Sequence, residues 1–298
     1  IYANMDVTAM KPLTDGFMKK YSGVKGTGVH FSGAAIITRI ESESRAGKPL
    51  SDVVLSGQLG VLTSIEKRIA ARYRSPEREF YRDSFKDRDG LWMTYMTNVM
   101  VSAYNTRLVK KDELPRSVED LLKPRWKNKL VMDSQSYVWF GTIFQHLGEE
   151  NGLRFMKRLN EQNLQHSRGR RLMTQLLAAG EHDIAVETNL NSVLSLSKQG
   201  APLGFAPIQP FFLSPSLVFM SANAPHPIAG ALFTDYLLSE EGQRIIVTTN
   251  RMPAHAKVKS PESQLLEGQD VRMPDIFDIG RRYQAIGNRY REVFPGAR

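Results

Sequence analysis

Cysteine is absent from the 298 residues of this chain. Its absence excludes a disulfide framework, a thiolate metal site and a cysteine nucleophile, and it fits an oxidising compartment. No stretch approaches the roughly 18 to 20 apolar residues of a membrane-spanning helix. The chain begins directly in a strand-like Ile1-Tyr2-Ala3, without the basic and apolar regions of a signal peptide. Any signal peptide is therefore expected to have been removed already, and the lack of cysteine by itself only hints at the compartment.

The motifs of the common enzyme classes are also missing. The chain has no Gly-x-Ser-x-Gly elbow, no His-Glu-x-x-His zinc motif and no phosphate loop, and Gly26-Thr27-Gly28 is only part of a dinucleotide-binding motif. The histidines show no metal-ligand spacing; they are His30, His146, His166, His182, His226 and His255. We expect no catalysis, no cofactor and no bound metal.

Positive charge exceeds negative charge, with 40 Lys and Arg against 31 Asp and Glu and a formal net charge of +9. Such a balance attracts nucleic acids, anionic surfaces or small anions. The basic residues are scattered in short groups, mostly interleaved with acids, and no array of aromatic and basic residues accompanies them. The pattern therefore favours solvated surfaces and argues against a nucleic-acid partner.

The first hundred residues alternate short apolar segments with amphipathic ones. A strand at residues 1–4 precedes a helix whose apolar residues recur every three or four positions: Met10, Leu13, Phe17 and Tyr21. Strands at 29–31 and 52–55 are likewise followed by helices, which predicts an open α/β sheet. Ligands collect at the carboxyl ends of strands in such sheets. We therefore expect the loops Met5-Asp6, Ser32-Gly33 and Ser56-Gly57 to share one edge.

A second lobe repeats this alternation between two crossovers. The nearly uncharged, strand-prone segment 92–105 leaves the first lobe, and the extended segment 205–220 returns to it. Between them, strands at 129–132 and 183–187 run into polar loops that form a second half-site. The predicted division is lobe 1 at residues 1–97 plus 212–265, lobe 2 at 98–211, and a C-terminal helical segment at 266–298 that packs on a lobe.

Four segments resemble one known family in the same order along the chain. They are Ala-Tyr-Asn-Thr-Arg-Leu-Val at 103–109, Glu-Leu-Pro-Arg-Ser-Val-Glu-Asp-Leu-Leu at 113–122, Lys-Pro-Arg-Trp-Lys-Asn-Lys at 123–129, and Leu-Leu-Ser-Glu-Glu-Gly-Gln at 237–243. The chain resembles the periplasmic solute-binding proteins of ABC importers, in the cluster of ferric-ion-, phosphonate- and sugar-phosphate-binding receptors. The resemblance implies a two-lobed α/β fold of the type II periplasmic-binding-protein kind with two hinge strands. It also implies a monomer that closes around a small solute and presents it to a membrane permease. The location that the resemblance implies is the periplasm of a Gram-negative bacterium or the cell exterior, after removal of a signal peptide.

The resemblance also identifies where iron ligands would lie. Ferric-ion receptors of this cluster have a pair of tyrosines after the strand equivalent to 183–187, a histidine after the first strand and an acid after the third. This chain has Thr188-Asn189-Leu190-Asn191, Asp6 and Ser56-Gly57 at those places. Ferric ion prefers phenolate and carboxylate oxygens, so bare iron is not expected. A carrier of iron, another metal or a chelate, and an enzyme for small phosphoesters, are the alternatives.

Small residues before helices make an oxyanion the expected solute. Helix N-termini offer free N–H groups and partial positive charge, and Arg168 could add a bidentate contact to a phosphonate, an organophosphate or a carboxylate. The competing interpretations are that Ser and Gly only cap helices, that aromatic residues belong to the core, and that Arg170 and Arg171 begin a helix as solvated residues. The candidate ligand-binding residues are Asn4, Asp6, Ser32, Gly33, Ala34, Ser56, Gly57, Ser134, Ser136, Tyr137, Trp139, Arg168, Glu187 and Asn189.

Overall fold

The computed structural model of the chain describes residues 1–31 and 33–297. These residues form two compact units, each assembled from two separate segments. Unit 1 comprises Ile1–Thr97 and Pro215–Leu265, and unit 2 comprises Asn98–Ser214 and Leu266–Arg298. The divisions at 97/98 and 214/215 lie beside the lobe boundaries expected at residues 97 and 211.

Helices and strands alternate along most of the described chain. The strands are β1 (Tyr2–Ala3), β2 (Val29–His30), β3 (Val53–Ser56), β4 (Ala70–Ala71), β5 (Met93–Asn105), β6 (Leu130–Asp133), β7 (Gln165–Ser167), β8 (Ile184–Asn189), β9 (Leu203–Phe205), β10 (Phe211–Ser221), β11 (Met252–Pro253) and β12 (Val271–Arg272). The α-helices are α1 (Val7–Lys20), α2 (Gly33–Arg45), α3 (Gln58–Glu66), α4 (Tyr137–Leu147), α5 (Glu149–Asn160), α6 (Arg170–Ala179), α7 (Leu190–Lys198), α8 (Pro227–Leu238), α9 (Glu240–Thr248), α10 (Pro261–Leu265), α11 (Ile276–Arg281) and α12 (Tyr283–Val293). Short 3₁₀ helices occupy Pro76–Phe80, Asp83–Phe85, Lys111–Glu113, Glu119–Leu122 and Pro124–Trp126.

Each unit contains a sheet in which parallel and antiparallel pairs are mixed. In unit 1 the strand order is β2-β1-β3-β10, with β1 parallel to β2 and β3, and β10 antiparallel to β3. In unit 2 the order is β5-β8-β6-β7, with β6 parallel to β7 and β8, and β5 antiparallel to β8. Parallel strands joined through helices are typical of α/β proteins. The predicted α/β class is confirmed.

The two long strands β5 and β10 run continuously from one unit into the other. Both fall where the sequence predicts the crossovers, at 92–105 and 205–220. Nearly all residues of both strands are buried. Because charged side chains are rarely buried without a partner, these segments carry almost no charge.

The core of unit 1 forms around the apolar face of α1. Met10, Leu13 and Phe17 are buried, as their spacing predicts, and Tyr21 follows as the C-terminal cap. The ring of Phe17 meets the ring of Phe233 edge to face, with centroids 5.2 Å apart. This geometry is favourable for aromatic pairs.

The core of unit 2 is rich in aromatic residues and includes the end of the chain. Trp126, Phe140 and Tyr290 are each almost completely buried in one apolar cluster. The last helix, α12, contributes Ile286, Tyr290 and Val293 to this cluster. The C-terminal segment therefore packs on unit 2 through its apolar face.

One helix-start pattern in the sequence is followed only by short turns. The pair Ser117 and Asp120 is typical of a helix start, but only the 3₁₀ turn Glu119–Leu122 follows. The Asp120 carboxylate accepts the backbone N–H groups of Arg116 at 2.9 Å and Ser117 at 3.3 Å, as the acid of a capping box does for the residue at the helix start. Pro124 then opens a second 3₁₀ turn.

Candidate functional site

The first candidate half-site lies at one edge of the unit 1 sheet. The parallel pairing of Tyr2 with Val29 and with Val54 brings the carboxyl ends of β1, β2 and β3 to the same edge. Helices α1, α2 and α3 begin there, as the sequence predicts. Ser32 lies outside the described residues, and Gly33 and Ala34 are the first two residues of α2.

Asp6 has two structural tasks at this edge. Its carboxylate caps α1 by accepting the N–H of Ala9 at 2.9 Å, and it pairs with the guanidinium of Arg251 at 2.9 Å. Partial burial raises the pKa of Asp6, but its hydrogen bonds and the charge of Arg251 outweigh that effect and lower the pKa overall. Asp6, a ligand-binding candidate from the sequence, is therefore a helix cap and an ion-pair partner in this structure. Arg251, which sequence reasoning missed, places a cation at this edge.

Residues around the start of α3 provide polar atoms that lack protein partners. Ser56 is fully buried, and its hydroxyl has no hydrogen-bond partner among the described residues; the same is true of the side-chain N–H₂ of Gln58. Gly57 precedes α3 without a side-chain cap, and the amide nitrogen of Asn4 is the neighbour that a Cβ at Gly57 would meet, at 3.8 Å. Buried polar groups normally have partners, so this cluster offers hydrogen bonds to a ligand or water.

The second candidate half-site is a pocket in unit 2 at the carboxyl ends of β6 and β7. Asp133 pairs with Ser167 across these parallel strands, so α4 and α6 begin at the same edge. The pocket has a volume of about 380 Å³ and is lined by Asp133, Ser134, Gln135, Tyr137, Arg168, Gly169 and Ala297. The volume lies within the usual range of small-molecule sites, roughly 300 to 1,000 Å³.

Arg168 supplies the unpaired positive charge of this pocket. Its side chain is exposed, and it forms no ion pair with any residue in the described ranges. The carboxylate of Asp133 also faces this region, and one of its oxygens accepts the N–H of Gln135 at 3.1 Å. The pocket thus combines a free guanidinium with a hydrogen-bond acceptor.

Glu187 and Ser136 form a buried layer beside the pocket instead of reaching into it. Glu187 is fully buried and pairs with Arg170, with an N–O distance of 3.0 Å. The Ser136 hydroxyl donates to the same carboxylate at 3.0 Å. Arg170 begins α6, as the sequence predicts, but it is not simply solvated, because its guanidinium balances the charge of Glu187. The direct ligand contact predicted for Glu187 and Ser136 is corrected, because both side chains are fully buried and neither lines the pocket.

The two aromatic candidates separate into a pocket residue and a core residue. Residues two apart on a helix point in directions about 200° apart, so Tyr137 and Trp139 cannot share one face of α4. Tyr137 lines the pocket, and the guanidinium of Arg291 donates to its hydroxyl at 3.1 Å. Trp139 is buried in the core and packs edge to face on Phe155. Its predicted contact with a ligand is corrected accordingly.

Four helices at these edges begin without a side-chain cap. They are α3, α4, α6 and α7, whose N-cap residues are Gly57, Ser136, Gly169 and Asn189. By contrast, Asp6 caps α1 and Ser239 caps α9. The competing interpretation that Ser and Gly only cap helices fails for Ser136, whose hydroxyl does not cap α4. The free N–H groups of the first turn remain able to bind an anion.

A partly buried histidine lies next to the second half-site. His166 in β7 packs against Phe294, with ring centroids 5.5 Å apart, and neither ring nitrogen has a hydrogen-bond partner among the described residues. Burial lowers the pKa of His166 to about 4, although the charge of Asp133 acts in the opposite direction. The ring is therefore neutral at pH 7.

Replacing His166 by glutamine should weaken the dependence of stability on pH. The unfolded histidine titrates near 6.5 and the folded one near 4, so the unfolded state binds more protons as the pH falls from about 7 to 4, and stability is lost over that range. The loss due to His166 is about 1 kcal/mol at pH 5, because the ring is only partly shielded from solvent. Thermal unfolding at pH 7.5 and pH 5 measures it. His226→Gln, at a side chain 73% exposed, is the control, and equal pH dependence in both variants would contradict the assignment.

Residues 1–31 and 33–297 offer neither a metal cluster nor a membrane-spanning helix. Within these residues, no group of three or more His, Cys, Asp or Glu side chains is arranged to hold a metal ion. No helix formed by them is both long and apolar enough to span a membrane.

Comparison with known proteins identifies one family over most of the chain. The family described as bacterial extracellular solute-binding protein matches residues 49–279. A curated relative, the Fe(3+)-binding periplasmic protein of Serratia marcescens, is 22% identical over 263 residues, which cover 84% of this chain and 76% of the relative.

Solved structures of periplasmic binding proteins share the fold. AfuA from Actinobacillus pleuropneumoniae, with exogenous fructose-6-phosphate bound, has a TM-score of 0.81 and 21% identity, and the match covers 99% of this chain and 97% of AfuA. Iron-bound HitA from Pseudomonas aeruginosa has a TM-score of 0.81 and 18% identity, covering 98% of this chain and 97% of HitA. These likenesses confirm the periplasmic-binding-protein fold that the sequence predicts.

Proposed function

Because the chain belongs to the bacterial extracellular solute-binding protein family, we propose that it captures a small anionic solute for the permease of an ABC importer. The proposed solute is a phosphonate, an organophosphate or a carboxylate, enclosed as the two lobes close. The protein works as a monomer in the periplasm and catalyses no reaction. Binding energy in such a receptor drives a conformational change.

The single observation that carries this proposal is the pocket of unit 2. Arg168 is its free cation, since the charge of Arg170 is already balanced by Glu187. The uncapped starts of α4 and α6 add N–H groups at the same edge. A guanidinium and helix N-termini together favour an oxyanion.

The carboxylate of Asp133, which lines the same pocket, limits which anions the pocket could bind. An ionised carboxylate such as Asp133 only accepts hydrogen bonds, so it would repel a simple anion placed against it. A solute that carries hydroxyl or ammonium groups as well as an oxyanion satisfies both Asp133 and Arg168. A sugar phosphate is one such compound, and the fructose-6-phosphate bound to AfuA is of this kind.

Iron, or an iron chelate, is the second candidate, because the Serratia marcescens relative is named for Fe(3+) and HitA was solved with iron. The residues of this chain fit it less well. Asp6 is engaged by Arg251, and Ser56-Gly57 supplies neither carboxylate nor phenolate. A ferric chelate that presents its own carboxylates would still suit the anion pocket.

A thermal-shift screen tests the proposal and separates the candidates. The panel contains phosphonates, sugar phosphates, dicarboxylates, polyamines and ferric citrate. A ligand at 100 times its Kd should stabilise the folded state by about 2.7 kcal/mol. Stabilisation by cations alone would refute the anionic proposal, and turnover of a phosphoester would refute the absence of catalysis.

Arg168→Ala should abolish the shift produced by the stabilising anion and leave the unliganded melting temperature within about 1 °C. The reason is that Arg168 is exposed and unpaired, so its removal costs little stability. Arg171→Ala is the matched control, since Arg171 is also exposed and lies in the first turn of α6, three residues after Arg168, but does not line the pocket. If both variants kept the full ligand shift, the pocket would not be the anion site.

A further inference from the structure

A second pocket in unit 1 lies away from the candidate half-sites. It has a volume of about 260 Å³ and lies between the last turns of α2, the residues after α3 and the end of β10. Ser51 precedes β3 and lines this pocket, whereas the half-site of unit 1 follows β3. The two sites are therefore at opposite ends of that strand.

The carboxylates of this pocket are already neutralised by protein groups. Glu43 is buried and accepts hydrogen bonds from Tyr2, Arg39 and the backbone N–H of Leu50. Glu41 pairs with Lys67 at 2.6 Å. Neither acid is therefore available to attract a cation.

Two arginines at the pocket remain unpaired. Arg45 and Arg68 both line it, both are exposed, and neither forms an ion pair with a residue in the described ranges. Arg68 also has a φ of 57°, a left-handed conformation that is sterically unfavourable for a side-chain-bearing residue and usually taken by glycine after a helix. The chain thus places a cation where the backbone favours glycine.

A pair of buried hydroxyls adds a hydrogen-bond donor to the same pocket. The hydroxyl oxygens of Ser51 and Ser221 are 2.6 Å apart, and both residues are almost completely buried. Each hydroxyl has one hydrogen, and a single hydrogen bond between them uses only one. One hydrogen is left to donate to an acceptor in the pocket.

We propose that this pocket is a second binding site, selective for a small organic oxyanion that Arg45 and Arg68 hold by charge and the Ser51–Ser221 pair by hydrogen bonding. It is independent of the solute half-sites, because it lies at the other end of β3 and of α2. Guanidinium groups and a free hydroxyl hydrogen complement a carboxylate or phosphate group.

Methyl NMR with citrate as the probe tests this site directly. Ile40 and Ile69 line the pocket, and Ile36 lies near the opposite end of α2, by the half-site. Citrate titration should move the Ile40 and Ile69 δ1-methyl signals in a saturable way. The double variant Arg45→Gln/Arg68→Gln should weaken the apparent affinity at least tenfold. Arg158→Gln/Arg281→Gln removes the same charge from exposed positions in unit 2 and should have no such effect.

Arg68→Gly separates binding from structure. It should raise the melting temperature by relieving the left-handed conformation, and it should weaken citrate binding at Ile40 and Ile69. The proposal is overturned if those two signals do not respond to citrate. It is also overturned if the double variant responds like the wild type, or if only Ile36 shifts, which would assign citrate to the half-site.

Discussion

Gln243→Met should lower the free energy of unfolding by about 4 kcal/mol, because one buried amide holds four backbone groups. Its N–H₂ donates to the carbonyls of Tyr95 at 2.8 Å and Leu237 at 2.9 Å, and its oxygen accepts the N–H groups of Ala254 and His255. Each buried group left without a partner costs about 1–3 kcal/mol. Methionine has nearly the same length and cannot replace these bonds.

Urea denaturation measures this loss, and hydrogen exchange locates it. The backbone amide hydrogens of β11 and of the first residues of β5 should exchange faster, since the hydrogen bonds of the Gln243 side chain connect both strands to α8. Gln264→Met is the matched control, because Gln264 is exposed in the same unit and its change should stay within about 0.5 kcal/mol. Equal destabilisation by the two variants would show that the buried hydrogen bonds of Gln243 contribute no more to the free energy of unfolding than an exposed glutamine does.

Glu187→Gln should destabilise the protein by about 3 kcal/mol. Removing one partner of a buried ion pair leaves the other charge uncompensated, which typically costs 3–5 kcal/mol. The lower value applies here because the Arg170 side chain is 36% exposed and the Ser136 hydrogen bond can persist. The measurement is again the midpoint of urea denaturation, with the change expected in unit 2.

Two further variants make this prediction specific to the charge. Glu150→Gln breaks the exposed pair with Arg154, whose partners are 91% and 61% exposed, and should cost no more than about 0.5 kcal/mol. Adding Arg170→Met to Glu187→Gln removes the uncompensated cation and should recover part of the lost stability. A double variant less stable than Glu187→Gln alone would contradict this account.

The segments that resemble the family have direct physical tasks in the structure. Asn105, at the end of β5, donates its side-chain N–H₂ to the carbonyl of Leu177 at 2.8 Å and accepts the N–H of Arg107. Trp126 is buried in the core of unit 2. Gly242 allows α9 to approach α8, since a Cβ there would lie 2.1 Å from the carbonyl oxygen of Tyr236. These residues stabilise the fold, so the resemblance carried fold information more reliably than ligand information.

Local patterns predicted the edges where the half-sites lie but not the contacts within them. The strand-to-helix transitions after Ala3, Ser56 and Asp133 follow from apolar periodicity and turn residues. The partner of Asp6, however, is Arg251, 245 positions away along the chain. No spacing rule links residues so distant. For the same reason, the ion pair between Arg170 and Glu187 could not be predicted from the sequence.

The sequence by itself determined the α/β alternation, the two crossover strands, the loops at the strand ends and the absence of thiol and known catalytic motifs. These properties depend on short-range periodicity and on residue chemistry, which are legible without coordinates. Only the tertiary structure decided which charges are free. It paired Arg170 and Arg251 with carboxylates and left Arg168, Arg45 and Arg68 without acidic partners among the described residues. It also placed the side chain of Trp139 in the core. Whether a charge is available to a ligand depends on which distant segments pack beside it, and that is a property of the folded chain.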